Sequence, residues 1–223
     1  ELLRAGLLFS FLLWPHQLEI QECKHVYDGL KEGDRCWAWI TDLRPSQFAL
    51  GEWEVEETIK SLDKYSVADL QRLKTSKPIP INIAPNGEIF MYNRHHTARA
   101  ILDSARIPES SKWVYARVTN NWSHLNSMNE FYRKLIATNQ IRLLDAKGIG
   151  PIDPSLLPEH VGKLQNDPFR SLASVTKQYG CYQGSSTVAF IEFLWADFFR
   201  SQLQEKFLLF QVTHTDTKKW CQV

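Results

Sequence analysis

Apolar and polar positions alternate or cycle in blocks along the chain, and the blocks predict its elements. After a polar stretch from Lys24 to Arg35, Cys36-Trp-Ala-Trp-Ile40 alternates as a short strand. Asp42-Leu-Arg-Pro-Ser46 is a break. Val55, Ile59 and Leu62 then recur at helical spacing within Glu52–Leu62, with acids at the start where the helix dipole favours them. A short helix follows at Ser66–Leu73, its start marked by Ser66 and Asp69 as a capping box with Asp in place of Glu. Ile79–Ala84 alternates, Asn86-Gly87 reads as a two-residue hairpin turn, and Glu88–Tyr92 returns as the partner strand. A helix is predicted from about Arg94 to Ser104 and a strand at Trp113–Thr119. Beyond Asn126 the pattern turns helical: Asn129–Asn139, a Gly/Pro-rich loop over Lys147–Pro158, Ser171–Tyr179, and an apolar helix from Ser186 to about Phe210.

Strands and helices in this order predict an α+β fold, a small mixed sheet with helices followed by a helical C-terminal cap. The expected divisions are an apolar segment at 1–20, a core at 21–122, a cap packed on it at 123–211, and a tail at 212–223. Composition agrees with folded protein: 223 residues, 43% hydrophobic and 23% charged. With 26 basic against 25 acidic side chains, no overall field favours nucleic acid or an anionic membrane.

Arg4 followed by Ala5-Gly-Leu-Leu-Phe-Ser-Phe-Leu-Leu-Trp14 has the form of a signal peptide and equally that of a buried N-terminal helix; it is too short to span a bilayer. Four cysteines, Cys23, Cys36, Cys181 and Cys221, lack CxxC spacing, which argues against zinc and allows one or two disulfides in an oxidising compartment. Asn121-Trp-Ser123 is a glycosylation sequon. The expected location is the secretory pathway, with the cytoplasm as the alternative.

The densest chemistry is Asn93-Arg-His-His-Thr-Ala-Arg99 at a predicted helix start. Unpaired backbone N–H groups and a positive dipole end make such a place an anion site. Arg94, His95, His96 and Arg99 there run against the dipole unless an anion compensates them, so Asn93, Arg94, His95, His96 and Arg99 are the candidate phosphate ligands, with solvated or internally paired cations as the alternative. Phosphoryl chemistry also needs a carboxylate or another base, for which Glu54, Glu57 and His95 are the candidates. On the cap side stand Asp167, Arg170 and Ser171, then Glu192 and Asp197 in an apolar helix. There an Arg170–Glu192 or Arg170–Asp197 pair docking the cap is expected, or an acid closing over the phosphate turn. No Walker loop, HExxH helix or dinucleotide-binding glycine pattern occurs, and no resident metal site is expected.

Taken together, Asp42-Leu-Arg-Pro-Ser-Gln-Phe-Ala-Leu-Gly51, the hairpin, Asn93-Arg-His-His-Thr-Ala-Arg-Ala100, Asn166-Asp-Pro-Phe-Arg-Ser-Leu-Ala173 and Phe190-Ile-Glu-Phe-Leu-Trp-Ala-Asp-Phe-Phe-Arg200 resemble the putative ParB-like nuclease family over about residues 40–203. The resemblance implies the ParB/sulfiredoxin-like fold group, in which the turn matching Asn93–His96 holds nucleotide phosphates. That group includes DNA-partitioning nucleotide hydrolases, sulfinic-acid reductases and free-serine kinases. The nearest family pattern has Asp and three His residues where this chain has Asn93, Arg94, His95 and His96, which removes a carboxylate and adds a phosphate-binding fork. The sulfiredoxin-like turn carries Cys where Arg94 stands, which excludes sulfinic-acid reduction by that route. The partner implied is a nucleotide or another phosphorylated small molecule, with Mg²⁺ as an accompanying cofactor and phosphoryl transfer or hydrolysis as the activity. A secreted non-catalytic binding protein and a metal-dependent nuclease are the alternatives.

Overall fold

The computed structural model describes residues 20–184 and 188–203. In chain order its elements are α1 (Cys23–Val26), β1 (Arg35–Trp39), β2 (Leu43–Pro45), β3 (Ala49–Leu50), α2 (Glu52–Leu62), α3 (Val67–Ser76), β4 (Ile79–Ile83), β5 (Ile89–Met91), α4 (His95–Asp103), β6 (Trp113–Asn121), α5 (Met128–Ala137), β7 (Gln165–Asn166), α6 (Pro168–Gln178) and α7 (Ile191–Leu203). This is the expected α+β class with a mixed sheet. Five strands run in the order β1-β6-β4-β5-β2; β1–β6 and β4–β5 are antiparallel, while β4–β6 and β2–β5 are parallel.

Alternation explains β1, where Cys36 and Ala38 are buried between partly exposed Trp37 and Trp39. The central strands are covered on both sides, so β4 and β5 are apolar nearly throughout. One cluster joins Ile79, Ile81, Met91 and Val118 of the sheet to Val55 and Leu62 of α2 and Ala98 and Ile101 of α4. A second joins Phe90 to Phe131, Tyr132 and Leu135 of α5, with Phe90 and Phe131 ring centroids 4.9 Å apart. A third holds Phe169, Leu172 and Ala173 of α6 against Ala196 and Phe199 of α7. The helical second half is also stitched in by hydrogen bonding, because β7 pairs in parallel with β3, Leu50 opposite Asn166.

The Ser66–Asp69 capping box forms as expected. Several expectations are corrected. The hairpin turn is a three-residue loop: Gly87 N–H donates to the Ala84 carbonyl and Ala84 N–H to the Glu88 carbonyl, with Pro85 fixing the turn and Gly87 at φ 81°. The sixth helix starts at Pro168, where Asp167 caps it, and not at Ser171. The last helix starts at Ile191, and its expected run past Leu203 lies outside the described residues, as do the signal-like segment through residue 19 and the tail. Cys23 and Cys36 form a disulfide between α1 and β1. The sequon asparagine is internal glue: Asn121 Nδ2 donates to the carbonyls of Tyr27 and Leu30, both at 2.7 Å, so a glycan on that nitrogen would displace at least one of these bonds. Among the described residues no helix is long and apolar enough to cross a membrane.

Candidate functional site

The polar turn after β5 opens on a cleft of about 590 Å³, lined from α2 by Glu54, from the β5–α4 turn by Tyr92–Thr97, from the end of α5 by Thr138–Gln140, from α6 by Arg170, and from the start of α7 by Phe190–Phe193. Arg94 is not inside α4, as the sequence suggested, but is the residue before it, in the left-handed conformation at φ 65° and ψ 25°. Two other non-glycine residues with positive φ among those described, Asn139 at 53° and Phe190 at 55°, line the same cleft. Each such conformation is unfavourable for a residue with a Cβ, and strain of this kind gathers at functional sites.

No side chain caps α4. Its first intrahelical bond runs from Ala98 N–H to the Arg94 carbonyl, which leaves the N–H groups of His95, His96 and Thr97 without a partner among the described residues. Asn93 Oδ1 accepts from Arg94 N–H at 2.7 Å and braces the turn. The Arg94 guanidinium has no hydrogen-bond or ion-pair partner among the described residues. The first turn of α7 enters the cleft as well, so two helix N-termini meet there.

His95 is 3% exposed, and its Nε2 is buried without a hydrogen-bond partner. Burial, followed by the charge expected on His96, lowers its pKa to about 3, against the opposing effect of the Met91 carbonyl. His96 accepts from Gly51 N–H on Nε2 at 3.1 Å, so its neutral ring carries hydrogen on Nδ1, which faces Glu54 Oε1 at 3.7 Å. Burial pushes His96 down to about 4 although Glu54 opposes the shift. At Glu54, burial acts to raise the carboxyl, but His96, Arg170 and the Ser174 hydroxyl outweigh it and hold the group below the usual range. Since His96 is neutral above about pH 4, Arg170 at 3.1 Å and Ser174 carry that stabilisation at neutral pH.

This geometry redistributes the expected pairs. Arg170 joins Glu54, not Glu192 or Asp197; Glu192 pairs with Lys177 at 2.5 Å, and Asp197 with Arg142 and Arg200. The Phe193 ring of α7 meets two guanidinium groups, its centroid 4.3 Å from Arg142 Cζ and 5.3 Å from Arg170 Cζ, which docks α7. Asp167 is fully buried, caps α6 and meets Arg200 at 2.7 Å. Ser171 accepts from Trp53 N–H and sits against Gly51, where a Cβ would lie 2.8 Å from Ser171 N. Asp167, Ser171 and Asp197 therefore build the scaffold behind the cleft. Arg99 turns away to Asp103 and the Val161 carbonyl, and Glu57 pairs with Lys60 in a neighbouring groove. Asn93, Arg94, His95, His96, Glu54, Arg170 and Glu192 are brought together.

Gly51, Ser174, Asn139 and Phe190 were not singled out by the sequence. Asn139 had a legible signal, a residue tolerant of positive φ directly after a helix; Phe190 had none.

A family profile described as a putative ParB-like nuclease matches residues 36–201. The crystal structure of protein Atu1540 from Agrobacterium tumefaciens is similar at 26% identity and a TM-score of 0.70, over 85% of this chain and 90% of that one. No curated protein matches the chain significantly.

Proposed function

This chain belongs to the putative ParB-like nuclease family, and on that premise we propose that it binds the phosphate of a nucleotide or another phosphorylated small molecule at the start of α4. The observation that carries the reading is the uncapped N-terminus of α4, which opens with Arg94, unpaired among the described residues, into a cleft also lined by His95, whose buried Nε2 has no partner among them. The N–H groups of His95, His96 and Thr97 and the Arg94 fork bind the oxyanion. His96 is a positioning residue, because its two nitrogens serve Gly51 and Glu54.

Phosphoryl transfer or hydrolysis would use Glu54 as the carboxylate nearest the turn, ionised at neutral pH but weakly basic because Arg170 and Ser174 stabilise its charge. Among the described residues Glu54 and Glu192 are the carboxylates lining the cleft, and both are already ion-paired. They fit a resident Mg²⁺ poorly, and no step is assigned to one. The Cys23–Cys36 disulfide supports an oxidising compartment.

Thermal unfolding with ADP, ATP, CTP, pyrophosphate and phosphate, each with and without Mg²⁺, tests the reading. A ligand at a hundredfold excess over Kd stabilises by about 2.7 kcal/mol, or roughly 5–10 °C for a chain of this size. The shift is expected to fall to about half or less in Arg94→Ala at the same ligand concentration. No shift with any phosphate compound overturns the assignment.

A further inference from the structure

We propose that the oxyanion enters this cleft together with one proton, held between the ligand and Nε2 of His95; the inference rests on the phosphate-binding reading above. The cleft's carboxylates, Glu54 and Glu192, are committed to Arg170 and Lys177, and what it leaves open are donors: the N–H groups at the start of α4 and the Arg94 guanidinium. His95 breaks that pattern. The Met91 carbonyl interacts with the ring and Nε2 has no partner among the described residues, so the neutral imidazole of this cleft-lining residue is assigned its hydrogen on Nδ1 and an unmet lone pair on Nε2. That nitrogen is buried and has no hydrogen-bond partner among the described residues.

A lone pair repels the oxygen of a dianion. One proton between them converts the contact into a charge-assisted bond, O–H···N or O⁻···H–N⁺, whichever atom holds it. The proton comes from the ligand where the ligand carries one and from solvent where it does not, and no other bond is made or broken.

The groups around the ring explain why it waits uncharged. His96 and Arg94 flank it on the α4 turn, Arg170 faces it from α6, Glu54 from α2 and Glu192 from α7, while Asn139 and Gln140 after α5 are uncharged. Burial and the cationic neighbours keep His95 neutral, with Glu54 and Glu192 already committed to Arg170 and Lys177. A bound dianion reverses the sign of its nearest charge and favours protonation. The ligand class that follows is a phosphomonoester or terminal diphosphate, whose second ionisation near pH 6 lets it share a proton.

Calorimetry with ADP at pH 8, where its terminal phosphate carries no proton, in two buffers of different ionisation enthalpy reads proton uptake directly. About one proton per ADP is expected, with Kd rising roughly tenfold per pH unit between pH 7.5 and 9. Pyrophosphate serves as the second probe. His95→Gln, which cannot titrate, is expected to bind ADP with that slope flattened. Should the variant not fold, the wild-type buffer comparison decides alone. Binding without proton uptake overturns this inference and leaves phosphate binding standing; no binding of either probe overturns both.

Discussion

Replacing Arg94 with glycine should make the protein more stable than replacing it with alanine, while both replacements remove the cleft's guanidinium that has no ion pair among the described residues. The φ of 65° at Arg94 is the left-handed region, which costs a residue with a Cβ about 1–2 kcal/mol. Glycine escapes that cost but carries greater freedom in the unfolded chain, worth about 0.5–1 kcal/mol. The net expectation is that Arg94→Gly exceeds Arg94→Ala by about 0.5–1 kcal/mol, or roughly 1–4 °C in Tm for a chain of this length. Because both variants lack the guanidinium, the comparison isolates the backbone. In calorimetry each should bind ADP more weakly by about 1.5–3 kcal/mol, the worth of a hydrogen bond to a charged group. Urea titrations followed by circular dichroism read the stability half. Equal stability of the two variants would refute the strain argument; undiminished ADP affinity would remove Arg94 from the site.

Gly51→Ala forces a Cβ to within 2.8 Å of Ser171 N and 3.0 Å of Ser171 Cα, and should cost about 1–3 kcal/mol in a urea titration; an unchanged midpoint would contradict the packing of α2 on α6. The histidines set an acid limit. Their folded pKa values, about 3 for His95 and about 4 for His96, lie below the ordinary value of 6.5, so the stability that depends on their being neutral is complete well above pH 6.5 and falls as the unfolded chain protonates. Between pH 6.5 and 5 each should cost about 1.6 kcal/mol, and His95→Gln should remove its share; a flat profile over that window would show that the rings are not buried neutral. Asn121 should carry no glycan in the folded protein, and Asn121→Ala should lose about 1–3 kcal/mol with its two 2.7 Å bonds, as intact mass and thermal unfolding will show.

The polar turn was legible because a Pro-Asn-Gly loop and two short apolar strands follow from local preference, while the cations at the helix start stand out against it. What the turn does with Arg94 was not, since nothing in an arginine asks for positive φ; the surrounding structure imposes it. The loop type itself was readable from Pro85, which presets the first corner of a type I turn and adds a residue to the connection. The partner of Arg170 was hidden for another reason. Glu192 and Asp197 lie close in sequence and made plausible mates, whereas Glu54 is 116 residues away. It is reached through β3 and β7, strands of two residues each, too short to leave an alternating pattern. Ser171 was named and Ser174 was not, though the second, one helical turn beyond Arg170, is the hydroxyl that meets Glu54.

The β3–β7 pair also fixes when the site can exist. With Leu50 opposite Asn166, Glu54 and Arg170 each lie four residues past a matched position, at equivalent places on two helices that leave the same small ladder side by side. A ribosome that has released the sheet, α2 and α4 has therefore produced the Arg94 turn but not the Arg170 guanidinium that pairs with Glu54 beside it. That arrives only when residue 170 follows the ladder into place. Closing so distant a contact is slow compared with local folding, so a chain stopped before Asn166 would retain the sheet strands and lack the finished cleft.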